Sequence, residues 1–148
     1  MAIRSSHPLL SCTDGLAVGL TDPSLLVARI LLACVFLLTV WFGSPTGAYL
    51  TSIDYIAPES MSLLARTVEW VIVISLVLGV GTRYGALLGL LFVIIATVTA
   101  HRWWGYPAAM QGVQYAFLVK NLGCAGGLIL LFTTGAGQIS LDARLARG

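Results

Sequence analysis

Four side chains in this sequence carry chemistry where polarity is costly: Glu69, His101, Lys120 and Asn121. Each lies inside or at the edge of a long apolar run, where an ionised group must be paired or reach water. A carboxylate and an imidazole can take up and pass on protons. An ammonium and an amide can donate hydrogen bonds to a carbonyl oxygen. The set suits a proton relay, or a site for a flat lipid-soluble molecule such as a quinone. Plainer roles compete with this one. Arg66 precedes Glu69 by one helical turn, so an Arg66–Glu69 ion pair would neutralise both. Lys120 can extend its long stem to the headgroups. At the opposite end of the chain's apolar part, Arg29 and Asp142 form a second candidate ion pair, one that would pin the C-terminal tail.

The elements that must position these groups follow from hydropathy. Apolar runs cover residues 25–43, 61–79, 84–100 and 116–134. Each approaches the roughly 20 residues that a helix needs to cross hydrocarbon. In lipid the backbone must satisfy its own hydrogen bonds, so all four are expected to be helices. The chain is 58% hydrophobic and only 9% charged, too few charges to cover a water-facing surface. The expected fold is an all-α membrane protein, a four-transmembrane-helix bundle with a short interfacial C-terminal segment. The first run starts late and is long for a signal peptide, and it is read as a retained span.

The flanks complete the expected plan. Residues 1–24 form a polar N-terminal segment, with Thr21 or Asp22 capping the first helix and Pro23 in its first turn. Residues 80–83 are too few for anything but a tight turn, so the second and third helices are antiparallel neighbours. The tail, 135–148, alternates Ile139, Leu141 and Leu145 with Asp142, Arg144 and Arg147, the pattern of a short interfacial helix. Arg4, Arg83, Arg144 and Arg147 fall on one side of this plan, which favours both termini in the cytoplasm. Counting about 1.5 Å per residue, Glu69 lies about 10 Å below the opposite face. His101, Lys120 and Asn121 enter from that face, so all four groups share a depth. Trp103, Trp104, Tyr106 and Tyr115 lie beside it, either as an interfacial aromatic belt or as walls of a quinone site. Gly85 and Gly89, and Gly123, Gly126 and Gly127, suit close helix packing.

Several chemistries find no support. No zinc-protease, phosphate-loop or nucleophile-elbow motif occurs. His7 and His101 are the two histidines, so paired histidine ligation of haem within the membrane is not expected, and no metal ligand set is visible. Cys12, Cys34 and Cys124 form no CxxC motif; Cys34 and Cys124 read as small core residues, with a disulfide between them left open. The net charge of +2, without a basic run, gives no footprint for nucleic acid. No intrinsic cofactor is expected. Redox work by this chain would need a bound quinone, a cysteine reaction or a partner subunit.

The order of the polar marks resembles the DoxX family of small bacterial membrane proteins, over about residues 24–142. The carriers are Ala28-Arg29, Glu69, Gly79-x-Gly81-Thr82-Arg83, His101, Lys120-Asn121-Leu122 with Gly126-Gly127, and Gly135-x-Gly137 followed by Ser140-Leu141-Asp142. The family often places a lysine shortly after the glycine that ends its first helix; here Gly43 is followed by Ser44-Pro45-Thr46. The resemblance implies a four-helix fold in the bacterial cytoplasmic (inner) membrane. It also implies an association with respiratory or thiol-linked redox systems. The resulting expectation is a membrane subunit of a quinone-linked redox system, with the lipid bilayer and other membrane or redox subunits, or a second copy, as partners. The alternative is a non-enzymatic structural or assembly subunit of a larger membrane complex, because fold alone does not fix function.

Overall fold

A computed structural model describes residues 8–43 and 47–148. Its elements are α1 (Pro8–Leu38), a π-helical turn (Thr39–Gly43), α2 (Gly47–Ser52), α3 (Pro58–Leu78), α4 (Thr82–Thr99), a 3-10 turn (Trp103–Gly105), α5 (Ala108–Thr134) and α6 (Leu141–Leu145). Among the described residues four helices, α1, α3, α4 and α5, are long and apolar enough to cross a membrane. They pack in a closed ring, α1 on α3, α3 on α4, α4 on α5 and α5 back on α1. The short α2 folds against α3.

The core is narrow. Phe36, Ile72, Leu76, Val93 and Leu128 are buried among the four helices, while Leu31, Val71, Leu91 and Leu130 point outward and are exposed. In water such a surface would drive aggregation; in lipid it is the expected exterior. The protein is therefore an all-α membrane protein built as a four-helix bundle. Glycines set the close approaches. A methyl on Gly85 would collide with the Ser75 hydroxyl across the α3–α4 seam, and one on Gly89 would crowd Leu128 at 3.3 Å. Gly123 and Gly126 instead face open space.

The largest departure from the sequence reading lies at the start. Residues 8–24 are not a polar lead-in: α1 opens at Pro8 and runs through Pro23. Thr21 and Asp22 therefore do not cap a helix beginning at residue 25. The Thr21 hydroxyl donates back to the Ala17 carbonyl at 2.9 Å, and Asp22 Oδ1 accepts the backbone N–H of Gln138 at 2.8 Å. Proline inside a helix removes one backbone hydrogen bond, and here the adjacent carboxylate is anchored by the tail. The fourth span likewise starts earlier than residue 116, at Ala108 directly after Pro107, a residue suited to the start of a helix, where a missing N–H breaks no bond. The remaining part of residues 1–24, and residues 44–46, lie outside the described residues.

Candidate functional site

One end of the bundle is closed by the tail. The turn from α3 to α4 holds Gly79 at φ +66° and Gly81 at φ +56°, the left-handed region that glycine enters without strain. Asp142 seals this turn. Its backbone N–H donates to the Gly79 carbonyl at 2.8 Å, and its carboxylate accepts the N–H groups of Gly81 at 2.7 Å and Thr82 at 2.9 Å. A negative charge on the first N–H groups of α4 is favourable, because they have no partner within the helix. Burial alone would push the Asp142 carboxyl upward. The amide bonds from Thr82 and Gly81, with the nearby Arg29 charge, more than offset it and hold the group below the usual carboxylate range.

Arg29 lies under this turn. It is buried to 1% exposure, and its Nη2 donates to the Ile139 carbonyl at 2.6 Å. Its guanidinium fills the space that a Cβ on Gly79 would occupy. Arg29 therefore does not reach for the headgroups; it holds the tail through a carbonyl and acts on Asp142 through space. Arg83 Nη1 adds a bond to the Phe132 carbonyl at 3.0 Å. The glycines, Arg29 and Asp142 thus form one clasp.

The polar groups of the other half surround a cavity of about 380 Å³. All four residues singled out in the sequence line it: Glu69 from α3, His101 at the end of α4, and Lys120 and Asn121 from α5. Glu69 is fully enclosed, whereas Lys120 and Arg66 are exposed. The Lys120 ammonium stands 5.8 Å from the centre of the Phe117 ring, a cation–π distance. Asn121 Nδ2 donates to Thr97 Oγ1 at 2.8 Å, and Thr97 in turn donates to the Val93 carbonyl at 2.7 Å. His101 Nδ1 lies 3.0 Å from Gln114 Oε1. An amide oxygen only accepts, so in this arrangement Nδ1 is the donor, and a neutral ring would keep Nε2 as an acceptor. Apolar walls from Val35, Phe36, Phe92 and Val93 complete the space.

Two participants escape the sequence reading, Gln114 and Thr97; Cys124, read as a small core residue, is buried and also lines the cavity. Gln114 is buried, although it lies in a stretch read as a connection. Its spacing carries a signal, since Gln114, Phe117, Asn121 and Cys124 recur at helical intervals along one face. The aromatic cluster resolves differently from its quinone-wall alternative. Trp103, Trp104, Tyr106 and Tyr115 do not line the cavity. Trp103 packs edge-to-face on Trp104 and Tyr115 at 6.2 and 6.1 Å, and these three rings are exposed, as in an interfacial belt. Tyr106 donates to the Ala100 carbonyl at 2.9 Å, fixing the turn after α4. Cys34 and Cys124 are both free thiols, so no disulfide joins them, and Cys34 is exposed on the outer face of α1 rather than the core residue expected.

Fold and cavity together define a small helical membrane protein with a largely apolar cavity in its bundle that a few polar groups enter. The chain belongs to the DoxX family, whose profile matches residues 24–102. That match takes in Arg29, Glu69 and His101 and ends before Lys120 and Asn121. The chain is similar to Inner membrane protein YphA of Escherichia coli (strain K12), 32% identical over 127 residues, which is 81% of this chain and 89% of that protein. It is also similar to Inner membrane protein YqjF of the same organism, 32% identical over 130 residues, covering 85% and 95%. No solved structure matches.

Proposed function

We propose that this protein is an inner-membrane subunit of a quinone-linked redox system, with the clasp and both termini on the cytoplasmic side. The observation that carries the reading is the convergence of Glu69, His101, Lys120 and Asn121 on one cavity. Ligand cavities usually measure about 300–1,000 Å³, with apolar walls and a few convergent polar groups; this one falls in that range and has that character.

The residues fit a quinone head. Asn121 commits one amide hydrogen to Thr97 and has a second to offer a carbonyl oxygen. The Lys120 ammonium can serve a carbonyl from the rim. Glu69 and the Nε2 of His101 are the groups able to hold or hand over protons. A bound quinone would supply two-electron, two-proton chemistry, with the electrons coming from a partner subunit. The uncovered surface at Gly123 and Gly126 suits a packed partner helix. That surface also supports a second reading, a structural or assembly subunit that binds no quinone.

Thermal unfolding in nanodiscs separates the two. A head-only benzoquinone at a hundredfold excess over its Kd is expected to stabilise the wild-type protein by about 2.7 kcal/mol. Glu69→Gln and Asn121→Leu are expected to remove most of that gain. No stabilisation of the wild type, with partners still recovered in mild detergent, would favour the assembly reading.

A further inference from the structure

Phe92 and Ala96 of α4, with Ala100 just past its end, line two hollows at once: the cavity described above and a second one of about 310 Å³ outside it. They recur every four residues, so they form one stripe along the helix. On α3 the neighbours Val68 and Glu69 part ways. Glu69 lines the cavity and Val68 the outer hollow. The two hollows therefore flank a single seam between α3 and α4.

The outer hollow offers a ligand no polar partner. Its two hydroxyls are already engaged, Tyr55 donating to Thr99 Oγ1 at 3.1 Å and Thr99 to the Ile95 carbonyl at 2.6 Å. Leu64, Leu91 and Ile95 on its walls are exposed on the spanning surface, so hydrocarbon surrounds it. The residues that line both hollows are two small ones, Ala96 and Ala100, and one large one, the half-buried Phe92. The Phe92 ring meets Phe36 edge-on at 6.2 Å.

We infer that the α3–α4 seam is a lateral portal from the bilayer, with the outer groove holding the hydrocarbon tail of a ligand whose polar head sits in the cavity. This rests on the quinone reading and deepens it: the native ligand is an amphipathic molecule with a long chain, whose head alone suffices to occupy the cavity. Lipid is as apolar as the groove, so docking the tail gains little from the hydrophobic effect. The groove directs the ligand rather than tightening it, and the decisive readout is where the tail lies.

The test uses the full chain in nanodiscs and a benzoquinone with an alkyl chain ending in a diazirine. Photolabelling, mapped by mass spectrometry, is expected on the α3 and α4 segments around Ala65 and Leu91. An excess of head-only benzoquinone is expected to compete it away. Ala65→Phe, which fills the groove without lining the cavity, is expected to cut that labelling at least fivefold while head-only quinone still stabilises the protein. A second variant, Leu88→Trp, guards against a folding defect in the first. Labelling spread over α1 and α5, or groove labelling that head-only quinone does not compete, would overturn the portal while leaving the quinone reading standing. Failure of both quinones to bind would overturn the two together.

Discussion

The carboxylate of Asp142 accepts the backbone N–H of Gly81 at 2.7 Å across 61 positions of chain. That bond ties the tail to the first turn of α4, next to the buried Arg29. One end of the bundle is thereby fixed, and the other is left to hold the cavity.

Removing the Asp142 carboxylate is expected to loosen this end. Asp142→Ala should destabilise the protein by about 2 kcal/mol and Asp142→Asn by about 1 kcal/mol, the range for lost helix caps. Reversible unfolding in mixed micelles measures both.

The same group sets a pH response. Because its carboxyl is held below the usual carboxylate range, its stabilisation is complete above the unfolded value and is lost as pH falls through the lower folded value. Wild-type stability is therefore expected to fall more steeply than that of Asp142→Asn below the usual carboxylate range. Parallel acid titrations of the two proteins would contradict the assignment.

The two turn glycines should differ. At Gly79 a methyl meets the Arg29 guanidinium and takes a positive φ, whereas at Gly81 it meets only the edge of the Tyr84 ring at 4.0 Å. Gly81→Ala is expected to cost about 1 kcal/mol from backbone strain alone. Gly79→Ala should cost at least twice that, together with faster proteolysis of the tail.

Cys124 provides a reporter inside the cavity. In a protein carrying Cys12→Ser and Cys34→Ser, a lipid-soluble maleimide is expected to modify Cys124. A head-only quinone with a fully substituted ring, which has no open position for thiol addition, should slow that reaction at least threefold, as read by intact mass. Equal rates with and without quinone would place the ligand elsewhere.

The spans are legible in the sequence because each is a nearly unbroken apolar run, and lipid leaves a backbone few choices besides a helix. Glu69, His101, Lys120 and Asn121 stand out for the converse reason, as exceptions within those runs. The start of α1 is not legible: Asp14, Asp22 and Pro23 break the hydropathy, and the contact that uses Asp22 comes from Gln138, far along the chain. Gln114 is hidden by its neighbourhood of aromatic and small residues, and its partner His101 lies across a turn. The burial of Arg29 depends on a carbonyl in the tail, a relationship that only the assembled fold creates.

A protein whose cavity holds a quinone should carry that quinone out of the membrane. The most direct measurement is the quinone-to-phospholipid ratio in protein extracted with its native lipid, compared with the bulk membrane and with Asn121→Leu prepared identically. The account predicts enrichment toward one quinone per wild-type chain and a bulk-membrane ratio for the variant. A wild-type ratio equal to that of the bulk membrane would contradict it.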